Sequence, residues 1–337
     1  MVVLVVGGAG YIGSQTAHVL ARRGHEVILY DNLSTGNVAL AKGFPLVVGE
    51  TCDSRKLALL LRRADAVMHF AACAYVGESA VHPRKYFENN VHAGLVLLHA
   101  VLDSPVRKFI FSSSCAVYGE PDSLPITEQT PRLPVNPYGA TKLALEHALD
   151  AYDRAYGLRF VSFRYFNAAG ADEAGAVGEM HSPETHLIPC AFEAIDGLRD
   201  ELEIYGRDYR TRDGTCIRDY IDVNDLAEAH AMGLEYLGQG AISVELNLGT
   251  GKGSSVREVL STIGRVTGRV VPTRFGPRRP GDPPELVADP TLAHHVLGWR
   301  AQRSLDQTIA SAWRWHQAKS QRRLQEQLSP SLEEVPA

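Results

Sequence analysis

Short apolar runs punctuate the first half of the chain: VVLVV (2–6), EVILYD (26–31), PLVVGE (45–50), AVMHFAA (66–72), KFIFSSS (108–114) and RFVSFRYFN (159–167). Runs of this length, bounded by turn residues, predict buried strands. Between them lie stretches with helical spacing, near 12–23, 54–63 and 88–103, and a further helix carrying Tyr138. Strands separated by helices need crossover connections, which predicts a mostly parallel sheet in a doubly wound α/β fold. After Asn167 the pattern breaks. AAGADEAGAVGEMHSPETH has little periodicity and reads as a long loop into a smaller α+β region. IDVNDLAEAHAMGLEYL (221–237) is helical again and SVELNLG (243–249) reads as another strand of the main sheet. A discontinuous first domain is expected, 1–167 plus 217–249, with a second from 168–216 plus 250–320. The polar end, QRRLQEQLSPSLEEVPA (321–337), is expected to fray.

Composition narrows the picture. The chain has 337 residues, 45% of them apolar, as in an ordinary soluble protein with a sizeable core. A net charge of −5 gives no reason to expect nucleic acid or a membrane as partner. No apolar run approaches the ~20 residues needed to span a bilayer. MVVLVVGGAG lacks a basic leader and reads as a buried strand. The five cysteines are scattered without C-x-x-C, which fits reduced thiols and a cytoplasmic location. The 13 histidines show no H-E-x-x-H or similar spacing, and no metal is assigned.

GGAGYIG (7–13) places Gly7, Gly10 and Gly13 after a strand and at the opening of a helix. Glycines there allow a tight turn and close approach of backbone to a pyrophosphate, while the helix N-terminus supplies N–H donors. Asp31 ends the second strand, where such folds place an acid against a ribose 2′-hydroxyl. That carboxylate repels a 2′-phosphate and so favours NAD over NADP. In NPYGATK (136–142), Tyr138 and Lys142 stand at i and i+4 on one helical face. A nearby ammonium favours phenolate, and a tyrosine tuned in that way can act as a general base.

GGAGYIG, Asp31, HFAA, NNV, SSSCAVYG, NPYGATK and RYFNAAG follow one another in an order and spacing that resemble the extended short-chain dehydrogenase/reductase superfamily. VGES (76–79), DGTCIRDYIDVNDLAEAH (213–230), NLGTG (247–251) and PRRPGD (277–282) narrow the resemblance to the UDP-galactose 4-epimerase family, from residue 2 to about 316. The resemblance implies a Rossmann domain holding NAD, a UDP-sugar substrate and a homodimer. It implies catalysis by Ser114, Tyr138 and Lys142 through a 4-keto sugar, with the nucleotide held throughout. Cofactor contacts are implied for Gly7, Gly10, Tyr11, Ile12, Gly13, Asp31 and Asn32, then Glu50 and Thr51 beside adenine. Phe70, Ala71, Ala72, Asn90, Tyr165, Tyr138 and Lys142 complete that set. On the substrate side, Tyr205 matches an aromatic stacked on uracil, and Arg218 and Arg279 match a diphosphate clamp. Asn167, His186, Leu187, Asp282 and Leu286 match further substrate positions, with Ser114 and Tyr138 at the sugar.

Some positions depart from the family pattern. Glu50 and Thr51 stand where Asp and an apolar residue are usual, Ala74 where some members carry lysine, His186 where asparagine is common, and Leu286 where some carry tyrosine. Three other readings compete. UDP-N-acetylglucosamine or UDP-glucuronic acid could replace UDP-glucose. A sugar-nucleotide dehydratase would need an Asp-Glu pair where Cys115 and Ala116 stand, and a non-catalytic NAD-binding regulator would not need the Ser, Tyr and Lys set.

Overall fold

The computed structural model describes residues 1–279 and 282–328, with side chains as far as Gln321. Its strands in chain order are β1 (Val2–Val6), β2 (Glu26–Asp31), β3 (Leu46–Val48), β4 (Ala66–His69), β5 (Lys108–Ser112), β6 (Arg159–Tyr165), β7 (Asn167–Ala169), β8 (Leu202–Tyr205), β9 (Ile217–Asp222), β10 (Val244–Leu248), β11 (Gly253–Ser255), β12 (Thr273–Gly276) and β13 (Glu285–Leu286). Seven of them form one sheet in the order β10-β6-β5-β4-β1-β2-β3, every pair parallel. The order reverses between β1 and β4, and ligands of open α/β sheets bind beyond the carboxyl ends of the strands at such a point.

Both faces of this sheet are covered, which explains why its strands are apolar runs and not alternating ones. Along β1, Val3 and Val5 join one core, where the helices Tyr11–Arg22 and Val223–Gly238 contribute Ala17, Leu20, Leu226 and Leu234. Leu4 and Val6 join the opposite core with Leu57, Leu97, Leu145 and Leu149. Successive side chains of a strand point to opposite faces, so one strand feeds both layers. Each such side chain, fully buried, contributes ~1.5–3 kcal/mol.

The smaller sheet gathers β11, β9 and β13, with β7 also paired to β9. β9 falls within the 217–249 stretch expected to complete the first domain, yet its partners are these short strands; the helix Val223–Gly238 and β10, which follow it, do join the large sheet. The run IRDYID reads as a strand either way, and only its partners assign the sheet. The stretch read as loop from residue 168 begins with β7, which pairs Asn167 with Tyr220. The helix Leu305–Leu328 continues through the first part of the end expected to fray. Arg, Leu, Gln and Glu there are all good helix formers. The remainder of that end lies outside the described residues. No helix among the described residues is long and apolar enough to cross a membrane.

Candidate active site

β1 runs into the glycine loop at the sheet's reversal point. Gly7 sits at φ +82°, and a Cβ there would lie 2.4 Å from the backbone nitrogen of Ala71, just past β4. A Cβ on Gly13 would lie 2.3 Å from the carbonyl oxygen of Gly7. Gly10 opens the helix Tyr11–Arg22 with no side-chain cap and no acid in the first turn. By contrast, Asn136, Asp222 and Ser255 each cap their helices with a side chain. Uncapped amides at a positive helix end suit a pyrophosphate, so the cradle fits a dinucleotide.

Asp31 and Asn32, Glu50 and Thr51, and Phe70 to Ala72 stand at or just past the carboxyl ends of β2, β3 and β4. Asp31 Oδ2 accepts from the Ala9 amide at 2.9 Å and Oδ1 from the Leu33 amide at 2.8 Å. Burial pushes its carboxyl up, and the two amides pull it back. Asp31 therefore shapes the loop in addition to standing at the expected ribose position. The Tyr11 hydroxyl donates to the Gly170 carbonyl at 2.6 Å, and Ile12 packs against both adjoining clusters. Asn32 donates to Glu50 Oε2 at 2.9 Å, with Thr51 half-buried next to it. Phe70 lies 4.8 Å from the ring of His230, and Ala71 and Ala72 continue the chain past β4. Asn90 is buried and committed within the protein: it accepts from the Cys73 amide at 2.8 Å and donates to Thr141 Oγ1 at 3.0 Å. It thereby clips the post-β4 segment to the helix of Tyr138.

That helix, Pro137–Tyr156, is fixed by its cap. Asn136 accepts from the Gly139 amide at 2.9 Å, and Pro137 occupies the first turn, where its missing N–H costs nothing. Tyr138 is thus held at the first turn, beyond the end of β5. Ser114 follows β5 in extended conformation, accepts from the Ala116 amide at 3.2 Å and stands near enough to the Tyr138 hydroxyl to affect its titration. Lys142, one turn on, donates to the Ser112 carbonyl at 2.7 Å. Tyr165 hydrogen-bonds the Ser112 side chain. Ser114, Tyr138 and Lys142 therefore lie together beyond the end of β5, the i and i+4 spacing placing the last two on one helical face.

Their electrostatics differ from the expectation. Burial pushes the Tyr138 hydroxyl up to about 12, the Ser114 side chain opposing it. The Lys142 ammonium stands over the Tyr138 ring, 5.8 Å from its centre. Lys142 is itself held down to about 7 by burial, with Glu146 acting in the opposite direction. Both groups pay for being dry, so the protein alone favours the neutral phenol.

Glu146 is the residue the sequence reading passed over. It lies fully buried one turn beyond Lys142, in a chain of charges under the site. Arg164 Nε and Nη2 donate to it at 2.9 and 2.7 Å, and Ser113 and Ser162 donate at 2.6 and 3.2 Å. Arg164 Nη1 reaches the Tyr118 hydroxyl at 3.0 Å, which donates to Asn247 Oδ1 at 2.7 Å. The signal was Glu at i+4 from Lys142 on a face otherwise apolar.

On the substrate side, the Arg279 guanidinium stacks over Tyr205 at 3.9 Å, and Arg218 is paired with Asp282. Arg218 also pairs across strands with Leu286, which packs on the cluster of Cys115, Val117 and Phe166 directly after Ser114. Asn167, His186 and Leu187 line a cleft with Tyr220 and Phe192. His186 Nδ1 lies 2.6 Å from Glu179 Oε1, and each shifts the other: the carboxylate pushes the imidazole up and the imidazole pulls the carboxyl down.

The pattern described as the NAD dependent epimerase/dehydratase family matches residues 3–249. The chain belongs to that family. Among its relatives, the UDP-glucose 4-epimerase of Rhizobium meliloti (strain 1021) is 48% identical over 321 residues, covering 95% of this chain and 98% of that one. The crystal structure of UDP-glucose 4-epimerase from Brucella ovis in complex with NAD superposes with a TM-score of 0.91 at 51% identity, across 94% of this chain and 98% of that one. The UDP-glucose 4-epimerase from Bifidobacterium longum in complex with NAD+ and UDP gives 0.89 at 37% identity, covering 95% and 99%. The doubly wound fold and the NAD dependence expected from the sequence are properties of this family, and the glycine cradle is where this member would hold the dinucleotide.

Proposed function

We propose that this chain is a UDP-hexose 4-epimerase that interconverts UDP-glucose and UDP-galactose through a transient 4-keto sugar. The observation that carries the reading is the meeting of Ser114 and Tyr138 at the end of β5, with Lys142 one turn behind and the glycine cradle alongside. NAD, when bound, supplies the hydride acceptor and donor for the sugar's C4 together with a positive charge. Tyr138 removes the 4-hydroxyl proton and Ser114 orients that hydroxyl. The phenol, raised to about 12 by burial, becomes a usable base only as positive charge gathers near it. Lys142 holds the strand end through the Ser112 carbonyl, and it would hydrogen-bond the nicotinamide ribose.

The remaining substrate positions serve the nucleotide. Tyr205, already stacked by Arg279, offers a face for uracil. Arg218 and Arg279 supply the donor forks that suit a diphosphate, and Arg218 would share itself between diphosphate and Asp282. Asn167, His186 and Leu187 line the adjoining cleft. Residues 168–216 and 250–320 form the UDP-sugar side and the seven-stranded sheet the NAD side, with β9 reaching across as part of the smaller sheet. A firm grip on the nucleotide leaves the sugar free to turn and take hydride back on its other face.

The enzyme is cytoplasmic and homodimeric in this reading. Its five cysteines are all free. Ala151, Ala155 and Tyr156 on the helix Pro137–Tyr156 face outward, beside the half-buried Leu143 and Ala144, as a second copy would require. A monomer in light scattering at micromolar concentration would rule out the dimer. A coupled assay against a panel of UDP-sugars tests the activity itself, the expected outcome being interconversion of UDP-glucose and UDP-galactose without added NAD.

A further inference from the structure

The segment between β7 and the helix Leu187–Ile195 folds four donor side chains onto one point. Glu179, His181, Glu184 and His186 each offer a ligand atom, and these atoms lie within 4.8 Å of one another. The spacing is E-x-H-x-x-E-x-H in a stretch without regular structure, which is why no helical metal motif announces it. Both imidazoles turn the same nitrogen inward: His181 Nδ1 and His186 Nδ1 lie 2.9 and 2.6 Å from Glu179 Oε1. Glu184 Oε1 is 3.2 Å from His186 Nδ1, and Glu184 Oε2 is 4.0 Å from His181 Nδ1. Around a tetrahedral ion with bonds of about 2.0–2.2 Å, neighbouring donors stand ~3.3 Å apart. The observed separations scatter about that value.

A second observation points to a ligand. The Glu184 side chain is only 5% exposed, yet its Oε2 has no hydrogen-bond partner. A buried carboxylate oxygen left without a donor is costly, and a cation would satisfy it. The surroundings hold the group in shape. Trp315 Nε1 donates to the Glu179 carbonyl at 3.1 Å, and a Cβ on Gly178 would strike the Trp315 ring at 2.3 Å. Tyr75 sets its ring 6.0 Å from that of His181 and donates to the Pro183 carbonyl at 3.3 Å.

We propose that Glu179, His181, Glu184 and His186 form a binding site for one divalent transition-metal ion. Two imidazoles and two carboxylates make a borderline donor set, suited to Zn2+ before Mg2+ or Ca2+. With all four groups engaged the ion has no open position, so its role is to fasten this segment. Glu179, His186 and Leu187 line one cleft, so the ion would set the position of that wall. It would also leave His186 only its Nε2 for any contact with substrate.

The test uses the untagged full chain, treated with chelator and then titrated with Zn2+ by calorimetry and with Co2+ by visible absorption. One Zn2+ per chain and the intense bands of tetrahedral Co2+ are expected, with a rise in melting temperature on adding Zn2+. His181→Ala and Glu184→Gln should each lower the affinity by more than the 10- to 100-fold typical of disturbing a ligand's neighbours. The wild-type titrations stand even if a variant fails to fold. No stoichiometric binding at micromolar Zn2+ would leave a hydrogen-bonded His–Glu cluster and overturn the proposal. Binding that persists unchanged in both variants would place the ion elsewhere and overturn it equally. None of these readouts depends on epimerase activity.

Discussion

The Lys142 ammonium donates to the Ser112 carbonyl oxygen at 2.7 Å while standing 5.8 Å from the centre of the Tyr138 ring. The lysine is therefore tied to the strand that delivers Ser114, with its ammonium over the ring of the tyrosine. In the protein alone it behaves as a buried cation that would prefer to lose its proton.

That has a consequence for stability. Lys142 is lowered to about 7 from 10.5, so between these values the folded protein binds fewer protons than the unfolded chain. The stability contributed here is full above 10.5 and is lost as pH falls through about 7. Lys142→Met removes that dependence. In nucleotide-free protein, the melting temperature of wild type minus that of Lys142→Met should grow more positive from pH 7 to pH 10.5. A difference that stays flat would show that the lysine does not titrate in this window.

Tyr138→Phe keeps the ring and removes the proton acceptor. Turnover of UDP-galactose should fall by ~10²- to 10⁴-fold, with an unchanged circular dichroism spectrum. A folded variant with wild-type rates would take the tyrosine out of the chemistry.

Gly13→Ala places a methyl group against the Gly7 carbonyl, where the ideal position is 2.3 Å from the oxygen. The loop must shift to accept it. Wild-type protein, denatured after purification, should release close to one NAD per chain, and Gly13→Ala should release little. Equal nucleotide content in the two would show that the loop tolerates the methyl group.

Glu146→Gln preserves shape but removes the fully buried partner of Arg164, leaving Glu245 as its remaining carboxylate. Breaking a buried pair on one side costs about 3–5 kcal/mol. Urea denaturation should report a loss of that order. A loss below ~1 kcal/mol would mean that Glu245, which also contacts Arg164 at 2.7 Å, is enough to hold it.

Leu286 bears on which sugar fits. It packs against the buried cluster that includes Cys115 and Val117, and its side chain is smaller than the tyrosine that the family resemblance implies there for some members. Measurable epimerisation of UDP-N-acetylglucosamine beside UDP-glucose is expected. Leu286→Tyr should depress the first relative to the second by ~10-fold or more, as ~1–3 kcal/mol of pocket discrimination allows. Wild-type enzyme confined to UDP-glucose and UDP-galactose would refute the argument from pocket volume.

The parts legible in the sequence were those whose residues are neighbours in the chain. GGAGYIG shows its strand, turn and helix in one string, and the Tyr138 to Lys142 spacing shows a shared face. What could not be read depended on partners far away. Arg218 could be named for its chemistry, but its pairing with Asp282 joins β9 to the segment before β13, which meet only in the folded molecule. Glu146 drew no notice in the sequence because Arg164, which meets it from β6, lies 18 residues away. The phenol shift followed from burial, which spacing does not measure.

The parallel pairing of β10 with β6 also bears on biosynthesis. Val161–Tyr165 can meet Val244–Leu248 only after about 80 further residues have been made. At ~5–20 residues per second, the outer edge of β6 stays open for roughly 4 to 16 s on the ribosome. That edge carries Phe160, Val161 and Phe163, which are buried in the finished protein, and an unpaired apolar strand is a template for the wrong partner. The nascent chain is thus exposed to misassembly while β7, β8 and β9 are being synthesised.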